Sequence, residues 1–199
     1  MSRRDEILKI CTQLIAERGY SDTSMRDIAD AVGLLAGSLY SHFRSKAALV
    51  GEIVVRFYDV LLPVQREIVA SDRTGAEQLR EMIAAVYAVC DTHRAELTIL
   101  HYDWHALSQL DELADVQTMS LETLALWQQA VERGRDDGSL RPDVDPPVMV
   151  RIATSSIHAL IDTVRYASVP VPASRSRELA ATLQDVLLGG VAADGRGSS

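Results

Sequence analysis

Apolar side chains recur every three or four positions along nearly the whole chain, and the recurrence breaks only at a few clusters of glycine, proline and aspartate. That is the period of helices with one face turned inward, and no stretch alternates strictly as a half-buried strand would. A first helix spans about Arg3 to Arg18, with Ile7, Leu8, Cys11, Leu14 and Ile15 inward; Gly19 ends it, and Tyr20 folds back on the core. After Ser45, a natural cap, Leu49, Ile53, Phe57 and Leu61 follow at every fourth residue and predict a long helix. Pro63 should kink or end it, because proline removes a donor and clashes with the preceding turn. Five more helices follow: about Gly75 to Thr92, Arg94 to Leu107, Leu113 to Arg135, Pro146 to Tyr166 behind a capping Asp145, and Arg175 to Leu188. The expectation is an all-α protein of about nine helices. It divides into a head at 1–46, a helical body at 47–192 and a disordered tail at 193–199.

One stretch departs from this bland pattern. From Ser24 to Lys46 two short helices are joined by a tight turn: Ser24 and Asp27 form a capping-box pair, Ile28, Ala29 and Val32 make an apolar stripe, and Gly33 supplies the turn. The second short helix turns Leu39 and Phe43 inward and leaves Ala36, Gly37, Tyr40 and Ser41 outward. A solvent face of small groups and one aromatic hydroxyl suits a DNA major groove, where small residues permit close approach and Tyr40 reaches a base edge or a phosphate. The candidate DNA-binding residues are Ser24, Arg26, Ala36, Gly37, Ser38, Tyr40, Ser41, His42 and Lys46. Arg26 and Lys46 flank the pair at helix starts and are the stronger phosphate candidates. Arg3 and Arg4 read equally as phosphate contacts or as solvated charges.

The run from Thr23 to Leu49, and above all the spacing from Ile28-Ala29 through Gly33 to Leu39-Tyr40, His42-Phe43 and Lys46, resembles the helix-turn-helix of the TetR/AcrR regulators. The resemblance implies a three-helix DNA-binding head on a helical ligand-binding and dimerisation body. The bare Ala36-Gly37 pair departs from what base reading needs, so the operator cannot be inferred. The GSLRPDVDP loop is also similar to a join between body helices in such chains.

Charge sharpens the division. The formal net charge is -8, yet residues 1–50 carry seven Lys/Arg against six Asp/Glu, while the remainder carries thirteen against twenty-two. A near-neutral head on an acidic body is compatible with a nucleic-acid partner, although many enzymes are acidic. Cys11 and Cys90 lie in separate apolar patterns and read as buried free thiols, a redox-sensing pair being the alternative. The N-terminus lacks a signal-peptide core and no apolar run reaches the roughly 18 residues of a membrane span, so the expected location is the cytoplasm.

In the body, His101, Trp104 and His105 form the densest group of functional side chains. The two histidines are four apart and able to share a metal, but spacing marks no third ligand, so no metal or other cofactor is expected. On the penultimate helix Arg151, Ser155, His158, Asp162 and Arg165 form one polar stripe, either solvated or lining a cavity or seam. Arg165-Tyr166 before a proline loop resembles actinobacterial repressors of steroid-ring catabolism that respond to CoA thioesters. That resemblance implies an anionic or acyl-CoA-like effector. The candidate ligand residues are therefore His101, Trp104, His105, Trp127, His158, Asp162 and Arg165. The last two helices are candidates for a dimer seam through Ala153, Ser156, Ile157, Leu160, Leu179, Leu183, Val186 and Leu187. A symmetric dimer spanning two half-sites is the physically sensible form of such a head.

The expected function is a ligand-responsive transcriptional repressor, homodimeric on a near-palindromic DNA operator and released by a small organic effector. Two rivals are an all-helical enzyme, for which no nucleophile elbow, phosphate loop or strong metal motif exists, and a helical interaction module that has lost DNA binding.

Overall fold

The protein is described by a computed structural model covering residues 2–165 and 173–191, with the side chains of residues 90, 91, 158–165 and 173–177 outside the described set. The described residues form nine α-helices and no strand: α1 (Arg3–Arg18), α2 (Met25–Ala31), α3 (Ala36–His42), α4 (Lys46–Ala70), α5 (Gly75–Thr92), α6 (Arg94–Leu107), α7 (Ala114–Asp136), α8 (Pro146–Arg165) and α9 (Ala173–Val191), with a 3-10 turn at Asp111–Leu113. The all-α expectation holds. The tail at 193–199 and most of the loop expected before α9 lie outside the described residues.

The helices begin where their caps dictate. Ser2 with Asp5 and Ser24 with Asp27 form reciprocal capping boxes at α1 and α2. The Ser45 hydroxyl accepts the Ala48 N–H at 2.9 Å, and Asp145 accepts the Val148 N–H at 2.9 Å. Each satisfies a donor that the first helical turn would otherwise leave unpaired. Of the two outcomes expected at Pro63, ending the helix does not occur: α4 continues to Ala70. Pro63 faces solvent while Leu61, Leu62, Gln65 and Ile68 around it are buried, so water reaches the carbonyl it frees and burial holds the helix together.

The described residues pack as two compact units, those up to 59 with 93–120, and 60–92 with those from 121 onward. In the first, α1 packs on α6 and α2, and α2 on α3, around Ile7, Ile15, Ile28, Leu39, Leu49 and Ile53, none more than 2% exposed. In the second, α5 lies along α9, and Trp127, Leu79, Met82 and Ile83 are among its most buried side chains.

Cys11 is fully buried in α1, and burial pushes its thiol up to about 12. A thiol held protonated and out of solvent is a poor nucleophile. Peptide-level mass spectrometry after iodoacetamide treatment at pH 8 should find Cys11 unmodified in the native chain and alkylated only in denaturant. Labelling of the native protein would return it to the redox candidates. Cys90 has its side chain outside the described set.

Candidate nucleic-acid interface

Between α2 and α3 the chain turns at Gly33, whose φ of 68° lies in the left-handed region that an L side chain enters only with strain. The turn is closed by the Leu34 N–H donating to the Ala29 carbonyl at 2.9 Å. Ile28 and Ala29 of α2, Leu39 of α3 and the adjoining Phe43 are all buried, and α2 packs on α3. This fixes α3 so that Ala36, Gly37, Ser38, Tyr40 and Ser41 all face solvent, Tyr40 with 54% of its surface exposed. Nothing lies within 4 Å of where a Cβ on Gly37 would sit. The face is therefore flat and unobstructed, with the Tyr40 phenol projecting from it. Ser41 and Ser24 are committed locally, Ser41 donating to the Ser38 carbonyl at 2.6 Å and Ser24 bonding the Asp27 carboxylate. Arg26 and Arg44 are exposed near the two ends of the pair.

Lys46 is engaged within the chain. Its ammonium donates to the Tyr20 and Thr23 carbonyls at 2.6 and 2.7 Å and lies 4.0 Å from the Tyr20 ring centroid. Partial burial lowers its pKa, with Asp103 and Asp22 opposing that shift. It clamps the loop before α2 to the start of α4, which leaves one donor for anything outside. Asp103 completes that clamp by accepting the Tyr20 N–H at 3.0 Å.

Arg3 and Arg4 are neither simply solvated nor aimed outward. Arg3 donates to the Val32 carbonyl at 3.0 Å and Arg4 to the His42 carbonyl at 2.7 Å, so two successive arginines hold the C-terminal ends of α2 and α3. A cleft of about 520 Å³ lies beside α3, lined by Tyr40, Arg44, Glu52, Glu112 and Asp115 among others. Its lining mixes Glu52, Glu112 and Asp115 with Arg4 and Arg44, so it is not a uniformly basic anion site.

Sequence reasoning missed two residues here. Arg44 is exposed at the rim of the cleft, and Leu35, directly before α3, is 82% exposed. Leu35 carried a signal that was overlooked, an apolar residue at a position where helices start on a polar cap.

Residues 7–53 match the family model for bacterial regulatory proteins of the tetR family, and residues 72–162 match that for the tetracyclin repressor-like C-terminal domain. The chain is 35% identical over 150 residues to the HTH-type transcriptional repressor KstR2 of Mycolicibacterium smegmatis, covering 75% of this chain and 73% of that one. With KstR2 of Rhodococcus jostii it shares 38% over 149 residues, covering 75% and 73%. The chain belongs to the TetR family. The solved structure of the ketosteroid transcriptional regulator KstR2 of Mycobacterium tuberculosis superposes with a TM-score of 0.85 at 28% identity, over 97% of this chain and 96% of that one.

In TetR-family terms the remaining candidates sit in the body, and the structure divides them. His101, Trp104 and His105 lie on α6, with His101 and Trp104 half-buried and His105 exposed. The His101 ring meets Tyr102 edge-on at 4.6 Å, and no group of three potential metal ligands converges among the described residues. Trp127 is 1% exposed and fills the interior of the second unit. His158, Leu160, Asp162 and Arg165 lie on α8 where the side chains are outside the described set. Ala153 and Ile157, expected at a dimer seam, are 1% and 5% exposed within the single chain. The exposed large apolar residues of α8 among those described are Val148 and Ile152. Ser156 is half-buried, as are Leu179, Leu183 and Leu187 of α9, whereas Val186 is 68% exposed. Gln65 of α4, which the sequence did not mark, is fully buried with neither amide atom hydrogen-bonded among the described residues.

Proposed function

We propose that this TetR-family regulator represses transcription as a homodimer on a near-palindromic operator in the cytoplasm, has no enzymatic activity, and leaves DNA when a small organic effector binds its body. The open face of α3, small residues around a projecting Tyr40 and held from behind by Arg4, is the observation that carries this reading. Residues 1–46 read DNA, and 47–192 bind effector and partner. Two heads enter successive major grooves roughly 34–36 Å apart, or a multiple of that. The exposed Val148 and Ile152 of α8 and Val186 of α9 support a seam formed by those helices.

The effector is an anionic, acyl-CoA-like molecule. Similarity to KstR2, named a ketosteroid transcriptional regulator, supports a steroid-derived part of that effector, and Arg165 near the end of α8 supports an anionic one. The buried, unpartnered Gln65 amide supports a polar group reaching the interior of the body, since such an amide is costly to leave unpaired. Effector binds better to the state whose heads are misplaced for DNA, so its differential affinity shifts the population off the operator.

Selection of DNA from a random-sequence pool by the full chain, followed by fluorescence anisotropy, tests both halves. Tyr40→Ala should weaken operator binding about tenfold, within the range for one base or phosphate contact. An unchanged Kd would remove α3 as the reading element. Acyl-CoA thioesters should give heat on titration and weaken the operator complex; a heatless titration, or operator affinity indifferent to them, would remove that effector class.

A further inference from the structure

Leu35 breaks two local rules at once. The starts of α1, α2, α4 and α8 are capped by Ser2, Ser24, Ser45 and Asp145; α6 starts at His93 without a side-chain cap bond, and the N-cap of α3 is the apolar Leu35, with φ -69°, ψ 144° and no side-chain hydrogen bond. It is also 82% exposed, more than any other large apolar side chain among the described residues. The adjacent Leu34 is half-buried, so packing of the turn does not need Leu35 as well. Gly33, Ala36, Gly37 and Ser38 around it are small or polar and exposed, which makes Leu35 a single projecting group and not part of an apolar patch. A sequence that gives up a cap and leaves a leucine in water at one position marks a site used for something else.

Residues at the start of a recognition helix face base edges, and the one apolar feature a base pair shows in the major groove is the thymine C5-methyl group. Ala36 and Gly37 offer no hydrogen-bonding side chain there, so specificity at this end of α3 has to come from shape and apolar contact. We propose that Leu35 is a specificity-determining residue that packs against the C5-methyl of one thymine in each half-site. This rests on the reading of α3 as a DNA-recognition helix and adds what its bare N-terminal end recognises.

Chemical editing of the operator tests this without touching the protein. With the operator selected by the full chain, each thymine is replaced singly by uracil, which removes only the methyl group. One thymine per half-site should show an affinity loss of about fourfold, the value of one buried methyl-sized group, and 5-methylcytosine placed there should bind better than cytosine. Leu35→Ala should abolish that sensitivity. Leu35→Ser, which installs a cap, should raise Tm while weakening the operator complex, the reverse of what a structural leucine would give. Uniform indifference to uracil, or a uracil penalty undiminished in Leu35→Ala, overturns the proposal while leaving the regulator reading intact. A wild-type chain that selects no DNA overturns both.

Discussion

Gly75→Ala is expected to lower the stability of the protein by about 3 kcal/mol, the upper end of what overpacking usually does, and Tm by about 10 °C for a chain of this size. A Cβ built on Gly75 would lie 2.1 Å from the Gly134 nitrogen, 2.3 Å from its Cα and 2.5 Å from the Ala130 carbonyl oxygen. All three are backbone atoms of α7, so no rotamer change relieves the overlap. The start of α5 would have to lift away, breaking the Gly75 N–H bond to Asp137 at 2.8 Å and the Ala76 N–H bond to the Ser139 hydroxyl at 3.1 Å. Gly51→Ala is the control. The nearest atoms to its added Cβ lie at 3.8 Å, and within a helix alanine exceeds glycine by about 1 kcal/mol. Thermal denaturation should therefore move in opposite directions for two nominally identical substitutions. A Tm for Gly75→Ala within a degree or two of the parent would mean that α5 does not dock on α7 this closely.

That pair also shows where the sequence stops informing. Helices were legible because their signals are local: the four-residue spacing of Leu49, Ile53, Phe57 and Leu61, and the capping pair of Ser24 with Asp27, lie within one or two turns of what they specify. The contact between Gly75 and Gly134 joins residues far apart in the chain, and no periodicity announces it. An amphipathic stripe likewise says that Ala153 and Ile157 are covered without saying by what. Within one chain the two residues are buried by its own core. Whether Pro63 ends α4 was not legible, because that depends on which side of the helix it occupies, and packing sets that side. At the candidate site the glycine turn and the outward Tyr40 were legible. The roles of Lys46, Arg3 and Arg4 were not, because their partners are backbone carbonyls, which carry no sequence signature.

Arg4→Gln is expected to weaken operator binding tenfold or more while leaving the salt dependence of that binding unchanged. The Arg4 guanidinium bonds both Glu52 carboxylate oxygens, its Nε at 3.1 and 3.2 Å, donates to the His42 carbonyl at 2.7 Å, and stacks 4.2 Å from the Phe43 ring centroid. Glu52 hydrogen bonding raises its pKa, and Arg56 extends the network by reaching Asp5 at 2.8 Å and Glu52 at 3.3 Å. The group thus ties the end of α3 to α4, and with it the pitch at which Tyr40 is presented. A glutamine cannot span carboxylate, carbonyl and ring together, and lysine lacks the planar fork, so neither should rescue. Losing a direct phosphate contact would instead reduce the salt slope by about 0.9. The Arg4→Gln/Glu52→Gln double variant should cost less than the two singles combined, because each single already breaks the shared pair. Acid should act on the same network. The Ser2 hydrogen bonds, and then Arg56, hold the Asp5 pKa at about 2 against an ordinary 3.8. The carboxylate's contribution is complete above about pH 4 and fades as pH falls towards 2, because a depressed folded-state pKa loses its stabilisation on protonation. If Arg4→Gln lowered the salt slope by one contact and left effector release unaltered, Arg4 would be a phosphate ligand after all, and α3 would be held by its apolar contacts alone.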